Sequence, residues 1–145
     1  MRLVSAILST AHLCGLARGF ELLYKDKSDS VTEFSFESFQ NSVLLDESPV
    51  NWVIVFYADW CGHCKVFAPN FIELAESVNG SENLKFGAVD CAADIMTKIE
   101  SEDICRVFDI KSYPTIRLFR HGQNDRALPH VMDDLRNSLL SMLRL

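Results

Sequence analysis

Residues 50–69 constrain this chain more than any other stretch, because they join a buried strand to a pair of cysteines. They read VNWVIVFYADWCGHCKVFAP. Residues 51–58 are almost all apolar, β-branched or aromatic, which is typical of a strand buried in a central sheet. Cys61 and Cys64 follow, and apolar residues then recur at helical spacing. A Cys-x-x-Cys pair at such a junction predicts thiol–disulfide exchange with other proteins.

Composition and charge narrow the class of protein. The chain has 145 residues, of which 48% are hydrophobic and 23% charged, so we expect one packed domain rather than a disordered chain. The formal net charge is -6, and the basic residues form no run. Nucleic-acid binding needs a basic patch, so the sequence argues against a nucleic-acid partner.

The first 19 residues predict a signal peptide. Arg2 gives a positive start, residues 3–16 are mostly apolar, and Ala17 and Gly19 are the small residues that signal peptidase requires. The alternative is a membrane anchor, but the run is too short to cross a hydrocarbon core about 30 Å thick. We therefore expect residues 20–145 to form one mature domain in the secretory pathway (endoplasmic reticulum, Golgi lumen or secreted), with no membrane attachment after cleavage.

Alternating patterns predict an α/β fold of order β-α-β-α-β-α-β-α, with a further strand that is hard to detect within residues 123–131. We expect strands at residues 31–34, 51–58, 84–89 and 115–119. We expect helices at residues 36–43 after a cap at Ser35, and at residues 61–79, 94–108 and 132–143. Pro69 predicts a kink in the second helix. Such alternation implies a mostly parallel, mixed central sheet with helices on both faces.

The segment Cys61-Gly62-His63-Cys64 favours a reactive thiolate, which is the species that exchanges disulfides. At a helix start, unpaired backbone N–H groups and the positive end of the helix dipole stabilise a negative sulfur at Cys61. A protonated His63 adds to this effect and so favours disulfide donation. Cys64 lies one turn further in, where it is suited to resolve a mixed disulfide.

The cysteine pair has two other interpretations, a zinc site and a purely structural disulfide. Zinc binding needs a second closely spaced pair, but thirteen residues separate Cys91 from Cys105, so we predict no metal. A structural disulfide gains nothing from a strand-to-helix junction. Cys14 leaves with the signal peptide, and the four remaining cysteines are an even number that suggests two pairs.

The segments FYADWCGHCK, FAPNFIELAE and DIKSYPTIRLF resemble a thioredoxin-fold domain of the protein disulfide isomerase group. The segments VDCA at residues 89–92 and ICRVFDI at residues 104–110 are similar to the first thioredoxin domain of quiescin sulfhydryl oxidase. The likeness covers about residues 31–143. It implies a thioredoxin fold and a protein thiol–disulfide oxidoreductase, isomerase-like or oxidase-like, that acts on cysteine-containing client proteins.

The resemblance also implies a role for each matching position. Cys61 is then the attacking cysteine and Cys64 the resolving one. Client contacts are implied for Trp60, Gly62, His63, Tyr113 and Pro114, where the last two match the cis-proline of the family. A structural disulfide is implied for Cys91 and Cys105, with two free buried thiols as the alternative.

One departure from the family concerns proton transfer. The family usually carries a buried acid six residues before the first active-site cysteine, and this chain has Val55 there. Asp59 is nearer in sequence, but we expect it at the surface, so proton transfer at Cys64 would depend on water. We expect Arg126 to be a solvated charge rather than the mobile arginine of the family.

Cofactor and modification sites complete the expectations. We expect no cofactor in this chain, and FAD only if a C-terminal oxidase module exists beyond it. Otherwise a separate flavin-dependent oxidant would accept the electrons. Asn79, Gly80 and Ser81 form a glycosylation sequon at a predicted turn, so Asn79 is a candidate acceptor. The alternatives to an enzyme are a client-binding, chaperone-like module with little turnover and a structural, disulfide-stapled secreted domain.

Overall fold

A five-stranded mixed sheet forms the centre of the computed structural model, which describes residues 23–24, 27–92, 104–120, 123–128 and 132–142. For residues 123–128, 132 and 142 it describes the backbone alone. The strands are Val31–Glu33 (β1), Asn51–Tyr57 (β2), Leu84–Asp90 (β3), Thr115–Arg120 (β4) and Gln123–Leu128 (β5). Their order across the sheet is β1-β3-β2-β4-β5.

The directions of the strands confirm the predicted mixed sheet. β1 and β2 both run parallel to β3, whereas β4 runs antiparallel to β2 and to β5, so two of the four pairings are parallel. β5 is the strand that the sequence pattern left hard to detect within residues 123–131. β1 lies at the other edge of the described sheet, where it pairs with β3.

Four helices accompany the strands in the described part of the chain. They are Phe36–Phe39 (α1), Gly62–Ser77 (α2), Ile104–Val107 (α3) and Met132–Met142 (α4), and α1 continues as a π-helical turn over Gln40–Leu44. The predicted cap at Ser35 is confirmed, since its hydroxyl accepts the N–H of Ser38 at 3.2 Å. α2 ends two residues earlier than the predicted Asn79. Residues 94–103 of the helix predicted at residues 94–108 lie outside the described residues.

β2 is buried on both of its faces, and this explains its continuous apolar sequence. On one face Val55 packs in a cluster with Phe71 of α2 and Leu135 of α4. On the other face Ile54 packs with Phe39 of α1. Side chains of a strand alternate between the two faces, so every position from residue 52 to residue 57 meets apolar neighbours. The helices therefore cover both faces of the sheet, as the alternating pattern predicted.

Gly87 in β3 is a glycine that the packing requires. A Cβ atom at this position would lie 2.8 Å from Cδ1 of Ile54 and 2.9 Å from Cδ2 of Phe34, closer than carbon atoms approach in proteins. Both neighbours belong to the buried cluster on that face of the sheet. Phe34 therefore reaches the backbone of β3 because no side chain stands between them.

We predict that Gly87→Ala lowers the free energy of unfolding by about 1–3 kcal/mol, because the added methyl group overpacks this contact. Urea titration of both proteins measures the change. The matched control is Thr32→Ala, since Thr32 pairs with Gly87 from β1 and is exposed. We expect that control to remain within about 0.5 kcal/mol of the parent protein. Equal stability of Gly87→Ala and the parent would contradict the packing described above.

Candidate active site

Cys61 lies where β2 gives way to α2, and its side chain caps the helix. The N–H of Cys61 donates to the carbonyl oxygen of Ala58 at 3.0 Å, which closes the turn between the two elements. Its backbone is extended (φ -74°, ψ 112°), and its Sγ accepts the N–H of Cys64 at 3.2 Å. Sγ thus occupies the N-terminal end of α2, where free N–H groups and the helix dipole favour negative charge.

Cys61 and Cys64 are joined as a disulfide, with 5.3 Å between their Cα atoms. Cys61 is 7% exposed and Cys64 is fully buried. The sulfur of Cys61 is therefore the one that an incoming thiolate can reach, and Cys64 is shielded behind it. A sulfur stabilised by helix N–H groups is also a good leaving group once it is displaced.

The segment that carries Tyr113 and Pro114 forms the opposite wall of the site. The peptide bond between these two residues is cis. The carbonyl oxygen of Tyr113 lies 3.7 Å from Sγ of Cys61, a position in which it can accept a hydrogen bond from the reduced thiol. Trp60 packs edge-on against Tyr113, with 6.1 Å between ring centroids, and is 68% exposed. The structure thus brings these sequence-predicted residues together around Cys61.

A groove of about 490 Å³ opens beside the cysteine pair, between α2 and the cis-proline segment. It is lined by His63, Val66, Phe67, Asn70, Ser112, Tyr113 and Pro114. Sequence reasoning missed Val66 and Asn70. The signal that could have found them is their spacing, because they follow His63 by three and seven residues on one face of α2.

Val55 is fully buried in the apolar cluster that also contains Cys64, so no acid stands at this position beneath the disulfide. Asp59 is partly exposed, in agreement with the expected surface position. Across the sheet, Val55 of β2 pairs with Ala88 of β3, and Ala88 pairs with Glu33 of β1. Paired residues of neighbouring strands point to the same face, so Glu33 lies on the same face as Val55, two strands away. The hydroxyl of Tyr57 donates to Oε1 of Glu33 at 2.8 Å.

The buried phenols beside Glu33 hold their protons strongly. Burial, followed by the negative charge of Glu33 and the hydrogen bond to it, raises the pKa of Tyr57 far above its ordinary value. Burial and Glu33 raise the pKa of Tyr24 in the same direction. The two rings pack edge-on, with 5.2 Å between centroids. Both groups are therefore neutral across the physiological pH range.

We predict that the hydrogen-bonded pair of Tyr57 and Glu33 makes the stability of the fold sensitive to alkaline pH. Because the pKa of Tyr57 is higher in the folded than in the unfolded state, the stabilisation that neutral Tyr57 gives is fully present below pH about 10, its unfolded pKa. Above that pH the free energy of unfolding falls by up to about 1.4 kcal/mol per pH unit. Tyr57→Phe should cost about 1–3 kcal/mol at pH 7, through the lost bond to Glu33, and should flatten the alkaline decline. Urea unfolding between pH 7 and pH 11 measures both effects. Parallel pH profiles of parent and variant would contradict this assignment.

The structure forms a second disulfide between Cys91 and Cys105, with 5.8 Å between their Cα atoms. Cys91 follows β3, and Cys105 lies in α3. Cys105 is 4% exposed, and Cys91 is partly buried. The structure therefore differs from the alternative of two free buried thiols.

Three further expectations concern positions away from the cysteines. Asn79 is exposed in the turn after α2, next to Gly80 with a left-handed φ of 103°. The side chain of Arg126 lies outside the described residues. Among the described side chains, no three His, Cys, Asp or Glu residues cluster in a way that could hold a metal ion. The helices described here also include none with the length and apolar character to cross a membrane.

A mixed sheet whose central strand ends at a helix-capping Cys-x-x-Cys pair defines a disulfide oxidoreductase of the thioredoxin class. In agreement, the family model described as Thioredoxin matches residues 30–141. This chain belongs to the thioredoxin family. The resemblance to the disulfide isomerase and sulfhydryl oxidase group is confirmed by its relatives.

Those relatives carry the two kinds of name that the sequence motifs suggested. Sulfhydryl oxidase 2 of Mus musculus is 28% identical over 130 residues, which cover 84% of this chain and 18% of the relative. Probable protein disulfide-isomerase ER-60 of Schistosoma mansoni is 38% identical over 114 residues, which cover 77% of this chain and 22% of the relative. Protein disulfide-isomerase A6 homolog of Drosophila melanogaster is 33% identical over 127 residues, covering 88% and 25%. The chain spans a quarter or less of the length of these relatives.

Solved structures support the fold. The J-Trx1 fragment of ERdj5 superposes with a TM-score of 0.64 at 26% identity, covering 80% of this chain and 51% of that one. Thioredoxin f2 of Chlamydomonas reinhardtii gives a TM-score of 0.63 at 20% identity, covering 79% and 98%, and shows the fold alone.

Proposed function

We propose that this chain is a thiol–disulfide oxidoreductase domain of the secretory pathway that forms or rearranges disulfides in client proteins. The observation that carries the proposal is the environment of Cys61 Sγ. It caps α2, accepts the N–H of Cys64, faces the carbonyl oxygen of Tyr113 and belongs to the one cysteine of the pair with exposed surface. The relatives named protein disulfide-isomerase and sulfhydryl oxidase support the same chemistry.

In the oxidising direction a client thiolate attacks Sγ of Cys61. The bond between Cys61 and Cys64 breaks, a mixed disulfide forms, and Cys64 leaves as a thiolate that takes up a proton. A second client thiolate then attacks the client sulfur of the mixed disulfide and releases Cys61 as a thiolate. Two client thiolates have become one disulfide, and the cysteine pair has gained two electrons.

In the isomerising or reducing direction the reduced Cys61 attacks a client disulfide, and Cys64 displaces the client from the mixed disulfide. The N–H of Cys64 and the dipole of α2 stabilise the Cys61 thiolate in both directions. His63 is exposed beside it, and when protonated it stabilises the dithiol state further. This bias favours donation of the disulfide to clients.

The same proposal assigns client contacts to the surface around Cys61. Trp60 and Tyr113 form an aromatic edge, and a Cβ at Gly62 would meet open space, so a client backbone can approach there. The groove beyond His63 continues this surface with the side chain of Val66, which is 73% exposed. Its apolar character suits extended client segments with apolar residues near the reacting cysteine.

Proton transfer at Cys64 is the slow part of the proposed cycle. Cys64 is fully buried, and Val55 beneath it offers no group that can donate or accept a proton. Water must therefore deliver the proton to the Cys64 thiolate when the disulfide opens. Electrons leave the reduced pair to a separate flavin-dependent oxidant in this proposal, which assigns no FAD site to the chain itself.

A second candidate function is a client-binding module with little turnover. The exposed side chains of Trp60 and Val66 favour binding, and the apolar environment of Cys64 slows the chemistry. The two candidates differ in one respect, because only the oxidoreductase transfers its disulfide to a client.

We predict that Cys61→Ser lowers the rate of client oxidation by at least about 100-fold, because a hydroxyl group cannot form the mixed disulfide. The assay is recovery of activity by a reduced, unfolded secreted enzyme, followed with this protein added in its disulfide form in excess over the client's cysteine pairs. Cys64→Ser serves as the matched variant with the same client carrying scrambled disulfides, since its Cys61 thiolate attacks a client disulfide and, with no resolving cysteine, should accumulate a mixed disulfide visible on a non-reducing gel. If the parent protein binds the client but neither oxidises it nor forms that adduct, the client-binding module is the correct function.

The proposal includes N-glycosylation at Asn79. The side chain is exposed, Ser81 supplies the sequon hydroxyl, and α2 holds the site far from the cysteines. The 16 residues of α2 separate the two ends of the helix by about 24 Å. A glycan at Asn79 therefore leaves access to Cys61 open.

We predict that the chain secreted from animal cells loses apparent mass on treatment with an N-glycosidase, and that Ser81→Ala shows no such loss. Client oxidation by the glycosylated and treated proteins should be equal, because the glycan lies at the other end of α2. An untreated protein of unglycosylated mass would refute the site.

A further inference from the structure

We propose that the disulfide between Cys91 and Cys105 positions the client-binding loop, residues 110–114, and thereby sets the affinity of the active site for its clients. The inference rests on the function proposed above and adds a residue pair to its machinery. Cys91 and Cys105 do not touch the client in this proposal; they act through the loop that does.

One end of the disulfide is fixed to the strand that carries the active site. The N–H of Cys91 donates to the carbonyl oxygen of Tyr57 at 2.7 Å. Tyr57 is the last residue of β2 and precedes Cys61 by four residues. The N–H of Ala92 donates to Oδ1 of Asp90 at 2.8 Å, which holds the chain in a turn directly after β3. Cys91 therefore moves with the end of β2.

The other end of the disulfide is fixed to the start of the client-binding loop. The carbonyl oxygen of Cys105 accepts the N–H of Ile110 at 2.8 Å. Asp109, with φ of 52°, reverses the chain between them in the left-handed region. The described part of α3, Ile104–Val107, leads directly into this turn, so whatever holds Cys105 also holds the turn. The disulfide is its covalent attachment to the sheet.

The client-binding loop extends to the reacting sulfur of Cys61. The hydroxyl of Thr115 donates to the carbonyl oxygen of Ser112 at 2.6 Å, which tightens the loop before β4. The carbonyl oxygen of Tyr113 lies 3.7 Å from Sγ of Cys61. Covalent and hydrogen bonds thus join Tyr57, Cys91, Cys105 and Ile110, and the contact between the carbonyl oxygen of Tyr113 and Sγ of Cys61 closes the ring.

Phe108 shows why removal of the disulfide should loosen the loop without unfolding the domain. Its ring packs against Phe39, Phe56 and Phe119, with centroid distances of 5.8, 6.4 and 5.1 Å. These contacts keep the end of α3 on the sheet when the disulfide is absent. What is lost is the attachment of Cys105 to the end of β2, and with it the fixed distance between the loop and Cys61.

The test compares the parent protein with the double variant Cys91→Ala, Cys105→Ala at a temperature well below both unfolding midpoints. The probes are a ten-residue peptide with one cysteine flanked by apolar residues, oxidised in the presence of oxidised glutathione to regenerate the Cys61–Cys64 disulfide, and its serine analogue. We expect the KM for oxidation of the cysteine peptide and the Kd of the serine peptide to rise about tenfold, because a displaced loop no longer fits the client. Reduction of Cys61–Cys64 by dithiothreitol should remain within about twofold of the parent rate, since a small dithiol does not need the loop.

Leu84→Ala is the matched control for stability. Leu84 is 5% exposed and opens β3, at the opposite end of that strand from Cys91. Its truncation lowers stability by about 2–5 kcal/mol without touching the ring of bonds. We expect its KM and Kd to equal those of the parent. A double variant that loses stability but keeps the parent KM and Kd would show a plain structural staple and overturn the proposal.

A second variant keeps the inference testable if the double variant does not fold. Insertion of one glycine between Ile110 and Lys111 lengthens the ring and leaves both disulfides in place. The same tenfold rise in KM and Kd is expected, and unchanged values would overturn the proposal. If the parent binds the serine peptide but oxidises nothing, the proposed enzymatic function fails while the Kd comparison still decides the role of Cys91 and Cys105.

Discussion

The N–H of Cys64 points at Sγ of Cys61, and much of the architecture serves to keep it there. α2 can present its first turn to that sulfur because Cys61 itself adopts the extended backbone of a helix cap. The turn before Cys61 directly follows β2, the strand with both faces buried. A bond of this kind in water would contribute little, but at the end of α2, where Cys61 is 7% exposed, it favours negative charge on that sulfur. The position of the reactive sulfur therefore depends on the packing of β2.

The same packing decides where the client can approach. The buried side of the cysteine pair faces the apolar cluster, whereas the open side faces the cis-proline segment and the groove along α2. The two sides are built from distant parts of the chain, residues 57–70 and 105–114. The disulfide between Cys91 and Cys105 connects them in the described structure through the hydrogen bond from the N–H of Cys91 to the carbonyl oxygen of Tyr57. Binding and chemistry are therefore held in register by two disulfides, one reactive and one structural.

Patterns in the sequence predicted those parts of the fold that are encoded by burial. β2 was visible because both of its faces are covered, and Ser35 was visible because capping depends on a local side chain. β5 was hard to detect because an edge strand that pairs only with β4 needs no continuous apolar run, and it reads QNDRAL. The π-helical turn after α1 was not predicted, since apolar spacing carries no information on the backbone hydrogen-bond pattern.

The residues of the candidate site were likewise predicted only in part. The motif predicted Cys61 and Cys64, but it did not reveal Val66 or Asn70, because the groove exists only once the cis-proline segment packs against α2. The pair of Tyr57 and Glu33 was also missed. Those two residues lie 24 positions apart in the sequence. They meet because β1 and β2 flank β3 in the sheet, and local periodicity does not encode this strand order.

Val55 carries a consequence for the energetic character of the domain. A carboxylate at this fully buried position would cost several kcal/mol of desolvation, whereas valine fills the same space with apolar contacts. In the proposed cycle this position therefore contributes to the stability of the core and not to the movement of protons at Cys64.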